Sequence, residues 1–129
     1  MKKPKRKDPK KKLRQQADKL LQEYIKKKYI NCLICDSSVN CGHHFFTKAS
    51  SNALRYYLPN IIPICLRHHC LVHTQPSLVE PKICFIMGQE WYDDLIEVKR
   101  AGIKETIEWY ELNIDHLEHE IDKLSAEKG

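Results

Sequence analysis

The stretch ICLRHHCLVH, residues 64 to 73, holds two cysteines and three histidines in ten positions. Cysteine thiolates and histidine imidazoles are the ligands that zinc and related ions prefer. The chain has six cysteines, and its basic N-terminus, MKKPKRKDPKKK, has no apolar segment behind it that would fit a secretory signal. We therefore expect a cytoplasmic protein without membrane spans, in which clustered Cys and His bind metal and do not form disulfides.

A second cysteine pair lies upstream, in the CxxC motif of Cys32 and Cys35. Cys65 and His68 repeat its two-residue gap, which predicts one closed Cys₃His zinc site of the structural kind. Two other assignments stay open: Cys70 could replace His68, or Cys41 could be recruited. Cys70 fits less well because it stands five positions after Cys65 and breaks the spacing. We expect Cys70 to be a small buried residue.

His69 and His73 remain, four residues apart on a short helix predicted from Leu66 to Gln75. This spacing points both imidazoles to one side, where they could share a second ion. The pair His43-His44 falls on a predicted strand, where neighbouring side chains face opposite ways. One of the two can join the second ion while the other stays unbound beside it. An unbound neutral imidazole is suited to act as a general base, since its ordinary pKa of about 6.5 is close to neutral pH.

The other segments are predicted from periodicity and turn residues. Residues 1 to 12 are expected to be a disordered basic arm, followed by a basic amphipathic helix over 13 to 30. Residues 31 to 62 lack a helical period, and residues 31 to 76 are predicted to contain a knuckle, two short strands at His43–Thr47 and Tyr56–Leu58, and the short helix. Residues 77 to 102 are predicted to be a helical extension, with a helix over 81 to 87 that begins at Pro81 and stops at Gly88.

Residues 103 to 129 carry the most regular period of the chain. Their apolar residues alternate by four and three, which is a heptad seam: Ile103, Ile107, Tyr110, Ile114, Leu117, Ile121 and Leu124. The flanks of this predicted helix are acidic, so we expect it to pack against the basic N-terminal helix, within one chain or across a dimer. An antiparallel homodimer through the terminal helices is the alternative.

Charge runs from basic to acidic along the chain. Residues 1 to 30 carry 13 Lys/Arg against 3 acidic residues (+10), residues 31 to 102 carry 6 against 6 (zero), and residues 103 to 129 carry 3 against 8 (−5). A basic segment beside a neutral centre rich in metal ligands is typical of proteins that contact nucleic acid. A nucleic acid is therefore an expected partner of residues 1 to 12, and the alternative is a lysine-rich solvated tail.

These motifs together resemble the HNH, or His-Me finger, endonucleases, especially small phage-type members with paired zinc knuckles similar to the lambda-type recombination endonucleases. The resemblance rests on CxxC, GHHFFTK, LRYYLPNIIPIC and CxxHHxxxH, in that order over residues 29 to 76. It implies an α+β fold in which a small zinc-stapled ββα-metal core is flanked by N- and C-terminal helices. Many relatives have Asp at the position of His43 and Cys at that of His68.

The resemblance also assigns roles to residues of this chain. It implies that His43, His69 and His73 bind a catalytic ion, that His44 is the general base, and that Asn60 supports the loop between the strands. The zinc ligands it implies are Cys32, Cys35, Cys65 and His68. Arg55, Arg67 and Lys48 lie in the matching segment and are expected to contact DNA phosphates.

The implied function is metal-dependent hydrolysis of DNA phosphodiester bonds, in phage recombination or the processing of branched DNA, and hence in the cytoplasm of the host cell if a phage encodes the chain. Three imidazoles favour Mn²⁺, Ni²⁺, Co²⁺ or Zn²⁺ over Mg²⁺, which prefers oxygen ligands. One alternative is a zinc-stapled DNA-binding module that cuts nothing. A second is a structural or assembly protein that acts through the heptad seam.

Overall fold

A computed structural model describes residues 8–127, and within them the fold is mixed α+β, as predicted. The elements in chain order are α1 (Pro9–Lys28), β1 (Cys41–His44), β2 (Ile61–Ile64), α2 (Leu66–Thr74), α3 (Pro76–Met87), α4 (Gln89–Ala101) and α5 (Ile107–Glu127). A short 3₁₀ turn, Leu58–Asn60, leads into β2. None of the helices in this part of the chain is both long and apolar enough to cross a membrane.

Helix α1 begins earlier than the sequence predicted. Its N-cap is Asp8, whose carboxylate accepts a hydrogen bond from the Lys10 backbone N–H at 3.0 Å, and Pro9 occupies the first turn. Both residues favour a helix start, because the cap satisfies a free N–H and proline needs none. Residues 9 to 12 are therefore helical, and the part of the predicted arm before residue 8 lies outside the described residues.

Helices α1 and α5 pack against each other within the chain, one of the two arrangements expected. Their shared core also receives Tyr56 and Ile61 from the central segment; the buried helix residues in it are Ala17, Leu21, Tyr24, Ile25, Tyr110, Ile114 and Leu117. The seam starts later than predicted, since α5 begins at Ile107, and Ile103 is exposed. Gly102, with φ +65°, ends α4 and directly precedes Ile103.

The sheet is an antiparallel pair in which Cys41 lies opposite Ile64 and His44 opposite Ile61. Both strands differ from the predicted bounds: β1 starts at Cys41, and the second strand is Ile61–Ile64. Every residue of β2 is buried, with Ile61 in the α1–α5 core and Ile62 and Ile64 in a second core with α2 and α3. A strand buried on both faces has no alternation of polar and apolar residues, which explains the missed pattern.

Gly42 sits where α1 crosses β1. A Cβ at this position would lie 2.6 Å from Ile61 Cγ2 and 3.0 Å from Ile25 Cγ1, so only glycine fits without movement. The side chain of Gln22 on α1 then binds the Gly42 backbone twice, accepting from its N–H at 2.7 Å and donating to its carbonyl at 3.1 Å. These contacts fix α1 directly beside His43 and His44.

Helix α2 matches its predicted bounds to within one residue. Helix α3 begins at Pro76, one turn and more before the predicted start, and Pro81 lies inside it. Gly88 follows it with φ +92°, a backbone angle that favours glycine, as the predicted stop requires. The β1–β2 hairpin and α2 together present the histidines and cysteines of the candidate sites.

Candidate metal centres and cleft

Cys32, Cys35, Cys65 and His68 come together as the spacing predicted, with their ligand atoms within 4.8 Å of one another. Cys35 Sγ lies 3.7 Å from Cys65 Sγ and 3.5 Å from His68 Nδ1. The His68 nitrogen lies 3.2 Å from Cys65 Sγ and 3.9 Å from Cys32 Sγ. Around a tetrahedral zinc ion, neighbouring sulfur and nitrogen ligands stand roughly 3.5–3.8 Å apart. The cluster can therefore hold a metal such as zinc.

The chain steadies this cluster from its backbone. The Ile34 and His68 N–H groups each donate to a cysteine sulfur at 3.4 Å, on Cys32 and Cys65 respectively. Hydrogen bonds from Ser37 lower the pKa of the Cys35 thiol to about 6, whereas burial raises that of Cys65. A thiol that ionises near neutral pH favours metal binding, since the thiolate is the ligand.

The alternatives for this cluster do not fit the structure. Cys70 is exposed, contrary to the prediction that it would be buried, because it lies on the outer side of α2. Cys41 points to the other histidine group, with its Sγ 3.3 Å from His69 Nδ1. The described residues thus give the Cys₃His set without a competing ligand.

His43, His69 and His73 form a second group, again with ligand atoms within 4.8 Å of one another. The His69 and His73 Nε2 atoms are 2.9 Å apart. The His43 ring lies edge-on to both, with centroid distances of 5.6 Å to His69 and 5.4 Å to His73. Residues 43, 69 and 73 therefore converge from β1 and α2 as predicted.

Three imidazoles this close can hold an ion only when they are neutral. Burial, with repulsion from His69 and His73, lowers the pKa of His43 to about 4. Burial also lowers the pKa of His69, and the charge of His73 adds to it. Because His69 Nδ1 contacts Cys41, its Nε2 is the atom left to face the group. A separation of 2.9 Å suits two nitrogens at about 2.0–2.1 Å from one ion with a right angle between them.

His44 faces away from this group, as neighbouring residues of a strand do. Its Nε2 lies 2.9 Å from the Arg55 carbonyl oxygen, so Nε2 carries the proton and donates it. Nδ1 is then the unprotonated nitrogen. Burial lowers the pKa of His44 despite this hydrogen bond, so the ring is neutral at pH 7. His44 is thus a neutral base with an assigned tautomer.

The three-histidine group and His44 line the same cleft, which has a volume of about 640 Å³. Its walls include His43, His44, His69 and His73 together with Gln22, Lys26, Thr47 and Lys48. Lys26 and Lys48 give the cleft positive potential, which suits an anionic ligand such as a phosphate.

Asn60 is fully buried and spans the loop between the strands. Its Oδ1 accepts from the Phe46 N–H at 2.9 Å, and its Nδ2 donates to the carbonyls of Phe46 at 3.1 Å and Leu54 at 3.2 Å. These bonds join Asn60, at the end of the loop, to Phe46 near its start and to Leu54.

The three basic residues that were expected to contact DNA phosphates do not share one surface. Lys48 lines the cleft and stands 3.8 Å from Asp18. Arg55 does not present a free guanidinium: it binds the Asp18 carboxylate through Nε at 3.0 Å and Nη2 at 2.6 Å, and its side chain is 12% exposed. Arg67 lines a separate groove with Lys82 and Cys70. Lys26, which was not predicted, takes a place in the cleft instead.

Asp18 and Gln22 are site residues that the sequence did not indicate. Burial opposes ionisation of Asp18, but hydrogen bonds from Arg55 and Tyr56 outweigh it and lower the pKa of the carboxyl. Both residues lie on α1, and only their contacts reveal their roles. Polar residues are common at the edge of an apolar stripe, where Asp18 and Gln22 lie, so no local signal could have identified them.

Searches of protein families, of curated proteins and of solved structures found no match to this chain. The resemblance to the HNH endonucleases therefore rests on the sequence motifs alone.

Proposed function

We propose that the chain is a metal-dependent endonuclease of the HNH type that hydrolyses DNA phosphodiester bonds. The observation that carries this proposal is one cleft lined both by the His43–His69–His73 group and by His44, whose Nε2 is bound to the Arg55 carbonyl. A ligand group and a separate base beside it are what metal-assisted hydrolysis requires.

In the proposed reaction, His44 Nδ1 takes a proton from water as its oxygen bonds to phosphorus. The P–O3′ bond breaks, and the 3′ oxygen takes a proton from solvent water, while the protonated His44 returns its proton to solvent. The products carry a 5′ phosphate and a 3′ hydroxyl. A divalent ion on His43, His69 and His73 would supply positive charge for the phosphoryl and departing oxygens. Lys26 and Lys48 would hold the flanking phosphates, and the Cys₃His cluster would hold a structural zinc.

Plasmid nicking tests this proposal, with the purified protein supplied in turn with Mn²⁺, Ni²⁺, Co²⁺, Zn²⁺ and Mg²⁺. His44→Ala should lower the nicking rate by about 10²–10⁴-fold, the usual contribution of a general base, with fold, zinc content and DNA affinity unchanged. His119→Ala, an exposed histidine on α5, is the matched control and should nick like the wild type.

Nicking by His44→Ala at the wild-type rate would contradict the proposal. Tight DNA binding by a wild-type protein that cuts with none of these ions would favour the non-catalytic module. A cleavage panel of duplex, nicked, D-loop and four-way-junction DNA would then identify the preferred substrate, including any preference for branched DNA.

A further inference from the structure

Asp18 on α1 binds two consecutive residues of the loop between the strands. Its Oδ1 accepts from Arg55 Nε at 3.0 Å and from the Tyr56 hydroxyl at 2.8 Å, and its Oδ2 accepts from Arg55 Nη2 at 2.6 Å. A bidentate guanidinium–carboxylate pair has a fixed geometry that a single contact lacks. The partly buried carboxylate, 28% exposed, therefore fixes both side chains.

These two residues share the peptide group that faces His44. The Arg55 carbonyl, which accepts the His44 Nε2 proton at 2.9 Å, belongs to the planar unit that joins Arg55 to Tyr56. With both flanking side chains bound to one carboxylate, this peptide has little freedom to rotate. The preceding carbonyl, of Leu54, is bound by Asn60 at 3.2 Å. Asp18 of α1 and Asn60 of the 3₁₀ turn thus hold neighbouring parts of the loop.

We propose that Asp18 is a positioning residue for His44: it holds the Arg55 carbonyl where it selects the His44 tautomer with Nδ1 unprotonated. This inference rests on the proposed function for its catalytic consequence, but the tautomer itself is a property of the folded protein alone. It also gives α1 a role in the site, although this helix lies outside the hairpin and α2. Arg55 then acts through its backbone carbonyl, and its side chain fixes that carbonyl by binding Asp18.

The experiment is a long-range ¹H–¹⁵N correlation spectrum of the imidazoles in the zinc-loaded full chain, without DNA. The wild type should show His44 as the Nε2–H tautomer. Asp18→Asn, which removes the charge with little change in volume, and Asp18→Ala should both give a mixture of tautomers at His44. Glu23→Gln removes an exposed carboxylate from the same helix and should leave the spectrum unchanged.

In the nicking assay, the Asp18 variants should lose about 10–100-fold in kcat, as expected when an outer partner of a catalytic residue is removed, with KM changed less than about twofold. Asp18→Ala should add less in an Arg55→Ala background than in the wild type, since the Arg55 contacts are then already lost and only the Tyr56 hydrogen bond remains to be broken. Tyr56→Phe keeps the Arg55 pair and should give a smaller loss.

A wild-type His44 tautomer in a destabilised Asp18→Asn protein would overturn the inference, because Asp18 would then be only a structural ion pair. The NMR result decides this even if the wild type cuts no DNA, so failure of the proposed function is distinguishable. Should Asp18→Ala not fold, Asp18→Asn and Tyr56→Phe still provide the comparison.

Discussion

His43 is a buried histidine, 8% exposed, whose ring is flanked by two other imidazoles. Its pKa of about 4 in the folded chain is well below the ordinary 6.5. In the metal-free protein, the unfolded chain takes up a proton at this position below about pH 6.5, whereas the folded chain does so only below about pH 4. Folding is therefore opposed by protonation within that range.

We expect the free energy of unfolding of the metal-free wild type to fall between pH 6.5 and 4 by about 3 kcal/mol more than that of His43→Gln. Urea unfolding at a series of pH values measures this difference, in which the shared contribution of the cysteine cluster cancels. His119→Gln should show the wild-type pH profile. Parallel profiles for wild type and His43→Gln would show that burial does not hold His43 neutral.

Residue spacing predicted the Cys₃His set and the pair His69 and His73, since ligands held by a CxxC turn or by one helical turn have fixed neighbours. The choice of His43 over His44 as the third ligand came only from the family resemblance. The pairing of the Arg55 side chain with Asp18 was not predictable from spacing. Its partner, Asp18, lies 37 positions away, and the pair depends on how α1 crosses the hairpin. Cys70 was placed wrongly because spacing alone cannot say which side of α2 is exposed.

At the scale of elements, α5 packs its heptad seam against α1 within the chain. Leu117 is fully buried in this contact, whereas Leu112 on the same helix is 68% exposed. Lys27 near the end of α1 also bonds to Ser125 near the end of α5. The two helices therefore stay in contact along much of their length.

Leu117→Ala should lower the free energy of unfolding by about 2–5 kcal/mol, because it leaves a cavity between the helices. Leu112→Ala is the matched control, and it should change stability by less than about 0.5 kcal/mol. Chemical denaturation followed by circular dichroism measures both. Equal effects of the two substitutions would mean that the seam is not packed as described.

Element type was easier to predict than element ends. The heptad period identified α5, but this helix starts at Ile107, where the Thr106 hydroxyl accepts from the Trp109 N–H. Helix α1 starts earlier than predicted because Asp8 caps it and Pro9 occupies its first turn. The strands were misplaced because β2 contains Pro63 and is buried on both faces. Pairing across the sheet decided their bounds, and pairing is not a local property of either strand.

For the whole molecule, two cores meet at the sheet. One core is built from α1 and α5. The other is built from α2, α3 and two cysteines of the Cys₃His cluster, Cys32 and Cys65. A metal bound by the Cys₃His cluster would therefore join the loop at residues 32–35 to α2 through the second core. Small domains with such a site commonly depend on the metal to fold.

We expect the Cys₃His cluster of the purified chain to hold one tightly bound zinc ion, measured by mass spectrometry under native conditions. Cys65→Ala should lose it and unfold at a much lower temperature, because a closed zinc site contributes folding energy directly. Cys70→Ala, which changes an exposed cysteine of the same helix, should keep both the zinc and the wild-type melting temperature. A metal-free Cys65→Ala protein of unchanged stability would show that the cluster is not a structural site.

His68 and His69 are neighbours on α2, yet they belong to different ligand groups. An ion at either group would fix the position and rotation of the same short helix and so reduce the conformational entropy left to lose at the other. Affinities coupled in this way obey reciprocity. If zinc at the cysteines raises the affinity of the histidine group for its ion by some factor, that ion raises the affinity of the cysteine cluster for zinc by the same factor. The availability of one metal would then set how firmly the chain retains the other.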